Sequence, residues 1–236
     1  LAPDARLIIL SNDGDTPGAI ARILAETGLG ESEIAVLTHM SGPDEEMITG
    51  TAAGWGDRQV ADLNTIAIHC VAGPDYIARS PAPGLHDEAF SHDGQLTKRE
   101  IRAATIASLV PMPGQLLWDV GAGCGSIAIE WMRASPRAAA IAIERNQTRG
   151  STIRDNALAL GVPDLDLIEG EAPDALEGLA APDAVFVGGG LSAAGLLELC
   201  WNQLKPEGRL VANSVTFEGE QVLIEWAAKT GGELVR

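Results

Sequence analysis

Short apolar runs and segments with helical spacing of hydrophobic residues alternate along the second half of the chain. This alternation is typical of a parallel sheet whose strands are joined by helices, so the predicted fold class is α/β with a Rossmann-like sheet. The predicted strands are 116–120, 139–144, 165–169, 183–187 and 209–214, with a last one beginning near Glu233, and the predicted helices are 98–110, 125–134, 146–160, 191–204 and 218–230.

A smaller α/β pattern occupies the first third of the chain. It predicts strands at 5–10, 33–38 and 64–71, a helix that follows the N-cap Thr16 and ends at Gly28, and a second helix that opens at Pro43. Residues 73–96 contain three prolines and no helical period, which predicts a linker. The chain is therefore predicted to divide into residues 1–72, a linker at 73–96 and residues 97–236.

The most informative stretch is LLWDVGAGCGSI, in which an apolar run ends in Asp119 and a glycine-rich turn follows. Glycines let the backbone turn sharply and approach a ligand, and this edge of an α/β sheet is where ligands bind. The next apolar run ends in Glu144, and an acid at that strand tip can hold the two hydroxyls of a ribose. We therefore expect an adenosine-containing cofactor. The predicted cofactor residues are Gly121, Ala122, Gly123, Cys124, Gly125 and Glu144.

The spacing of the glycines distinguishes between cofactors. The turn reads G-x-G-x-G, and Ser126 stands where the dinucleotide fingerprint requires glycine or alanine. This spacing favours S-adenosylmethionine (SAM) over NAD(P), so an NAD(P)-dependent oxidoreductase is the disfavoured alternative. A glycine turn that packs without any ligand is the structural alternative.

The tips of the later predicted strands lie at the same edge and carry further candidates. Ala172 follows the third strand and is placed to frame an adenine, although an ordinary Asp- and Pro-rich loop has the same composition. Gly188, Gly189 and Gly190 follow the fourth strand, where glycines permit close approach of a substrate. Asn213, at the end of the fifth strand, can orient a substrate. We take Gly188, Gly189 and Asn213 as tentative substrate residues.

The charge of the chain restricts its partners. The formal net charge is −17, which argues against a nucleic-acid partner because such partners require a basic face. A cationic cluster, Lys98, Arg99 and Arg102, precedes the glycine turn. It predicts an anionic small-molecule substrate, with Lys98 and Arg102 one helical turn apart on one face. The alternative is a solvated helix start with a capping box formed by Thr97 and Glu100.

Cysteines, histidines and hydropathy exclude several other classes. The chain has three isolated cysteines, which indicates a reducing, cytoplasmic compartment, and no metal-ligand spacing, so no metal site is expected. A loop metal site at His86 and His92 is less consistent with this segment than a solvated linker. Apolar runs are too short for a membrane span, and we expect no signal peptide because no basic leader is present.

Several segments together resemble a known family. LTKREIRA, LLWDVGAGCGSIAIEWM, AIAIERN, EGEAPDAL, DAVFVGGG and LKPEGRLVANSVTFEG resemble, in this order, the decarboxylating C15-methyltransferases of cobalamin biosynthesis. The stretch from IILSNDGDTPG to DLNTIAI resembles the second half of a tetrapyrrole methylase domain that methylates C5. The order of the two parts resembles the fused, decarboxylating precorrin C(5,15)-methyltransferases.

The resemblance implies a fold, a reaction and a site. The fold would be a truncated class I SAM-methyltransferase sheet preceded by part of a tetrapyrrole methylase domain. One domain would methylate C5 of a tetrapyrrole, and the other would methylate C15 and remove CO2 from the ring C acetate. The family's SAM contacts match Thr97, Gly121 to Gly125, Glu144 and Ala172. The alternatives are a methyltransferase for another small anionic substrate and a non-catalytic binding module.

Two departures from the family pattern matter. The first half of the C5 domain, with its own glycine-rich motif, does not precede Leu1, so we expect no C5 activity from this chain alone. The last strands of the methyltransferase sheet are also missing. We therefore expect the strand at 209–214 to form an unpaired edge and the chain to form a homo-oligomer or to aggregate.

Overall fold

The computed structural model describes residues 2–235 and divides them into two units, with the boundary between Arg79 and Ser80. Each unit has its own sheet and its own hydrophobic core. The helices and strands are β1 Arg6–Leu10, α1 Thr16–Glu26, β2 Glu33–Thr38, β3 Glu46–Thr51, β4 Asn64–His69, α2 Arg99–Leu109, β5 Leu116–Val120, α3 Ser126–Ala134, β6 Ala139–Glu144, α4 Gln147–Ala159, β7 Asp166–Glu169, β8 Ala184–Val187, α5 Leu196–Gln203, β9 Arg209–Ala212 and α6 Phe217–Thr230.

The first unit is a four-stranded antiparallel sheet in the order β1-β4-β2-β3 with α1 packed on one face. Period-2 burial along β2 and β4 places Ile34, Val36 and Ile66 under Leu24 of α1. The predicted strands and the helix that ends before Gly28 are confirmed. The N-cap of α1 is Asp15 rather than Thr16 and makes no side-chain cap hydrogen bond; the Thr16 N–H donates to Asp13 Oδ1 at 3.0 Å.

The predicted second helix of this unit, opening at Pro43, is wrong. Residues Glu46–Thr51 form β3, which pairs antiparallel with β2 so that Ile48 lies opposite Val36. The β-branched residues Ile48, Thr49 and Thr51 favour an extended strand, and the free edge of β2 supplies a partner for it. Acidic residues after a proline resemble a helix start, but here pairing with β2 decides the structure.

The second unit is a parallel sheet in the order β7-β6-β5-β8-β9, as the alternation of elements predicts. Helices α2, α3 and α4 contribute to the core on one face, and α5 and α6 contribute to the core on the other. Alternate residues of β5 enter opposite cores, with Leu117 on the α3 side and Trp118 on the α5 side. By the same alternation Asp119 and Glu144 both lie on the α3 side.

The start of α5 and the C-terminal segment of this unit differ from the sequence prediction, whereas the edge strand agrees with it. Helix α5 begins at Leu196 rather than at residue 191, because Gly190 and Gly195 take positive φ angles of 78° and 77° in the turn that precedes it. No strand forms over residues 231–235, and Arg236 lies outside the described residues. The predicted edge is confirmed, since β9 pairs with β8 alone among the strands of residues 2–235.

Residues 84–97, which we call the strap, fall largely within the predicted linker but are packed on the second unit. Leu85 and Phe90 are buried against Ile129 of α3 and Ala157 of α4. Burial of these two apolar side chains anchors the strap to α3 and α4, although Ser91 to Gln95 remain exposed. The second unit therefore includes the segment that leads into α2.

Candidate functional site

The glycine turn follows β5 and leads directly into α3. Gly121, Gly123 and Gly125 have φ angles of 72°, 62° and 80°, in the left-handed region that favours glycine. At Gly121 a Cβ atom would also lie 2.8 Å from the Gly189 backbone nitrogen. Two glycine loops thus approach each other at the carboxyl edge of the sheet, and Gly121 does not tolerate a side chain at the contact.

Glu144 ties the tip of β6 to this turn. Its side chain is buried, and its two oxygens accept the N–H groups of Gly123 and Asn146, each at 2.9 Å. The sequence assigns Glu144 and Gly123 to one cofactor site, and the structure brings them together. A carboxylate held by two backbone donors has a fixed orientation and free lone pairs with which to accept hydroxyl groups.

Asp119 lies beneath the turn and is 1% exposed. Its Oδ2 accepts the Ala128 N–H of α3 at 3.0 Å, and its Oδ1 is buried without a hydrogen-bond partner among residues 2–235. Burial raises the pKa of Asp119 to about 7; the Ala128 hydrogen bond opposes this shift, and the charge of Glu144 adds to it. The acid that precedes the glycine motif is therefore a strongly perturbed group at the floor of the candidate site.

The other strand tips lie at the same edge. The Gly188 N–H donates to the Val120 carbonyl at 2.9 Å, and the Asn213 N–H donates to the Val187 carbonyl at 3.1 Å. Asn213 also donates its side-chain amide to the Thr105 hydroxyl at 2.9 Å, so this amide is already engaged. Ala172 is half-buried in the core on the α5 side of the sheet. Gly188, Gly189 and Asn213 thus lie on two adjacent loops.

The predicted cationic cluster is arranged differently from the expectation. Arg102 is fully buried and forms an ion pair with Glu130 at 2.6 Å and with Asp87 at 3.1 Å. Its remaining hydrogen bonds go to the carbonyls of Thr97 and Leu85. Arg102 therefore holds the strap against α2 and α3 and does not share an exposed face with Lys98. Glu130 accepts the N–H groups of Gly84 and Leu85 as well.

Thr97 and Lys98 lie immediately before the first turn of α2. Lys98 is the N-cap residue, is largely exposed and pairs with Asp87 at 3.5 Å. The capping box predicted for Thr97 and Glu100 is wrong, since the cap of α2 has no side-chain hydrogen bond. Because Arg102 is internal, Lys98 is the exposed member of the pair.

Sequence reasoning missed Asn156, a buried residue of α4. Its side-chain oxygen accepts the Ser91 N–H at 2.9 Å, and its amide donates to the carbonyls of Ser91 at 2.9 Å and of Cys124 at 3.0 Å. Asn156 therefore fastens the strap to the glycine turn. An asparagine in a polar helix carries no pattern that marks it; only the observation that it is buried does so. Cys124 is buried beside it, and burial raises the pKa of its thiol.

The described residues contain neither a metal cluster nor a membrane span. Among residues 2–235, no three His, Cys, Asp or Glu side chains come together as metal ligands would. No helix in the same range is long and apolar enough to cross a bilayer.

Comparison with known proteins places this geometry in a family. The model of the precorrin methyltransferase domain matches residues 88–236, which contain the glycine turn, Glu144 and most of the strap. The chain belongs to the precorrin methyltransferase family. The matched region begins inside the predicted linker, in agreement with the packing of the strap.

Individual members of the precorrin methyltransferase family support this assignment. The precorrin-6Y C(5,15)-methyltransferase (decarboxylating) of a Sinorhizobium species is 46% identical over 236 residues, which are 100% of this chain and 57% of that protein. The Salmonella typhimurium cobalt-precorrin-6B C(15)-methyltransferase (decarboxylating) is 34% identical over 137 residues, 57% of this chain and 70% of that protein. The chain thus spans less than two thirds of the length of the Sinorhizobium relative.

Solved structures show the same fold. The C-terminal domain of precorrin-6Y C5,15-methyltransferase from Rhodobacter capsulatus has a TM-score of 0.63 and 43% identity, covering 67% of this chain and 85% of that one. A SAM-dependent O-methyltransferase from Thermotoga maritima has a TM-score of 0.53 at 13% identity, covering 87% of this chain and 80% of that one, and so shares the fold alone. The predicted Rossmann-like α/β class is confirmed.

Proposed function

We propose that the second unit binds SAM at the glycine turn and methylates a precorrin at C15, with loss of the ring C acetate carboxyl as CO2. The observation that carries this proposal is the Glu144 carboxylate, fixed 2.9 Å from the Gly123 nitrogen at the carboxyl edge of the sheet. The reaction is taken from the printed names of the relatives, which are decarboxylating methyltransferases of precorrins.

The residues present fit the cofactor. Gly123 faces open space, since the nearest atom to a Cβ added at this position would be the Gln95 carbonyl oxygen at 3.9 Å. The backbone of Gly121 to Gly125 would cradle the amino-acid part of SAM, Glu144 would accept the ribose hydroxyls, and Ala172 and Thr97 would complete the site. These assignments follow the family positions predicted from the sequence.

The reaction requires the protein mainly to align the methyl group with C15 and to exclude water. SAM, when bound, supplies a methyl group that leaves sulfur without its bonding electron pair. The new C–C bond takes its pair from the enamine-like system around C15, and the pair released with CO2 returns to the conjugated macrocycle. Methyl transfer removes one positive charge from the cofactor and decarboxylation removes one negative charge from the substrate, so the reaction balances without an oxidant or reductant.

The anionic substrate would meet few cations in this acidic unit. Lys98 is the proposed contact for a substrate carboxylate, because its ammonium group is largely exposed, whereas Arg102 is buried. Gly188 and Gly189 would allow the macrocycle to approach the backbone beside Gly121, and Asn213 would lie at the next loop. The net charge of −17 supports a small-molecule substrate rather than a nucleic acid.

The first unit is proposed to be part of a C5-methyltransferase domain of the tetrapyrrole methylase type, and this proposal assigns C5 methylation to the intact fused enzyme. Its support is that a relative named as a C(5,15)-methyltransferase aligns with the whole chain, the first unit included.

Mass spectrometry of precorrin-6B incubated with SAM and this chain tests the reaction. The expected product has gained one methyl group and lost one CO2. A product that gains a methyl without losing CO2, or an unchanged mass while SAM binds, would overturn the proposal and favour a methyltransferase for another small anionic substrate.

Self-association is the proposed quaternary state. Strand β9 is an edge with unpaired backbone groups, and such edges pair with other chains unless they are protected. Sedimentation velocity at increasing protein concentration should show species larger than the monomer. A single monomeric species across that range would contradict this expectation.

A further inference from the structure

Two apolar side chains stand out at the carboxyl edge of the second sheet. Val215 and Phe217, between β9 and the first turn of α6, are 102% and 88% exposed. Single exposed apolar residues are ordinary on protein surfaces. A pair two residues apart, in a loop at the edge of the sheet that carries the candidate cofactor turn, is a different case and requires an explanation.

The loop that carries them is held in one conformation. Ser214 Oγ donates to the Thr216 carbonyl at 3.1 Å, and the Thr216 hydroxyl accepts the Gly219 N–H at 3.1 Å. A Cβ atom on Gly219 would lie 2.3 Å from Ser214 Oγ, so the loop packs tightly on the start of α6. Thr216 is extended, which directs its two neighbours to the side opposite its own side chain. Val215 and Phe217 are therefore presented to solvent by a fixed backbone.

The position of the loop follows from the hydrogen bonds that link adjacent strand tips. The Asn213 N–H bonds the Val187 carbonyl, and the Gly188 N–H bonds the Val120 carbonyl, so the loops after β9, β8 and β5 lie side by side. The loop that carries the pair thus lies next to the glycine loop at Gly188, which in turn contacts the cofactor turn at Gly121.

Helix α2 brings a cation to the same edge of the sheet, although α2 and α6 contribute to the cores on opposite faces. Arg209, at the start of β9, bonds the carbonyl of Leu109 at the end of α2, and Asn213, at the end of β9, bonds Thr105. The helix therefore runs antiparallel to β9, and its N-terminal residues lie beyond Asn213. Ile101 lies about 6 Å, or one turn, from Thr105 toward the N-terminus of α2 and is 55% exposed. Lys98 lies further in the same direction.

We propose that Val215 and Phe217 form an apolar platform that receives one face of the tetrapyrrole macrocycle, with Lys98 available to a peripheral carboxylate. This inference rests on the proposed function and adds residues to its substrate site. A conjugated macrocycle with carboxylate side chains is flat and apolar at its centre and anionic at its rim. An aromatic and an aliphatic side chain, with an exposed ammonium group at the same edge of the sheet, match that distribution.

The test is a fluorescence titration of this chain with uroporphyrin I, a stable polycarboxylate of the same ring class. The double variant V215S/F217S should raise the Kd about tenfold or more, because it removes apolar area that the ring would bury. Leu158→Ser, at a 71% exposed position of α4, is the matched control and should leave the Kd unchanged. Both substitutions lie on the surface, where destabilisation is small.

Three results would overturn the platform. The first is an unchanged porphyrin Kd in V215S/F217S, the second is no porphyrin binding by the unaltered chain, and the third is loss of self-association in the variant with the porphyrin Kd intact, which identifies a protein interface. SAM affinity, measured separately, should be the same in all three proteins. If SAM fails to bind the unaltered chain, the proposed function fails, while the titration still decides the platform.

Discussion

The Arg102 Nε donates to Glu130 Oε1 at 2.6 Å, and both side chains are almost completely buried. This ion pair joins α2 to α3, and its two members together bind Gly84, Leu85 and Asp87 of the strap. Arg102, which the sequence predicts to contact an anionic substrate, is thus buried and holds the strap against α2 and α3. The guanidinium also lies 4.8 Å from the ring centroid of Phe90.

Arg102→Met should destabilise the second unit by about 3 kcal/mol, since it leaves the buried Glu130 carboxylate without its partner. Urea unfolding followed by far-UV circular dichroism measures this effect. Arg154→Met is the control, because Arg154 and Glu169 form an exposed pair whose loss should cost less than about 1 kcal/mol. An Arg102→Met protein of unaltered stability would show that the ion pair is not structural.

Asp119 should make stability decline with pH. Its pKa is about 7 in the folded chain, against about 3.9 in an unfolded chain, so between these values the folded state holds more protons. The contribution is complete below about pH 4 and is lost as the pH rises to about 7, with a total on the order of 4 kcal/mol. The Asn variant D119N cannot titrate and lacks this decline.

The measurement is the difference in free energy of unfolding between the wild type and D119N from pH 4 to pH 8. Taking the difference removes the contributions of the other carboxylates, which both proteins share. The wild type should lose stability relative to D119N up to about pH 7. A difference that is constant with pH would mean that Asp119 is ionised throughout.

Asn156→Ala should free the strap from the glycine turn. The substitution leaves the buried carbonyl of Cys124 without its partner, at a cost of about 1–3 kcal/mol, and releases the backbone of Ser91, which is an exposed residue. Hydrogen exchange of the strap amides should accelerate, while the strands of the sheet keep their protection. Asn202→Ala, at an exposed position of α5, is the control and should leave exchange unchanged. Equal exchange of the strap in both variants would contradict the fastening role.

Much of the second unit can be predicted because its signals are local. Continuous apolar runs such as 139–144 identify buried parallel strands, and Gly121, Gly123 and Gly125 mark a turn that only glycine adopts easily. Asp119 and Glu144 are identified by their positions after such runs. These features depend on residues that are neighbours in the chain, so the sequence alone is sufficient to predict them.

The features that escape prediction depend on distant partners. Strand β3 forms because it pairs with the free edge of β2. The prolines of residues 73–96 predict a linker, whereas Glu130 and Asn156 hold most of this segment as the strap. Arg102 has the spacing of a surface cation, and only the folded chain shows that it is buried against Glu130, 28 positions later. Tertiary pairing of this kind overrides local preference.

The central claim, that the turn and Glu144 form a SAM site, is tested most directly by isothermal titration of SAM into the wild type and Glu144→Ala. We predict binding by the wild type and a Kd raised about tenfold or more in the variant, because ribose hydroxyls lose a charged acceptor worth about 1.5–3 kcal/mol per hydrogen bond. Thermal unfolding of the variant controls for the lost bonds to Gly123 and Asn146. Equal SAM affinity of the two proteins, or no binding by the wild type, would contradict the account.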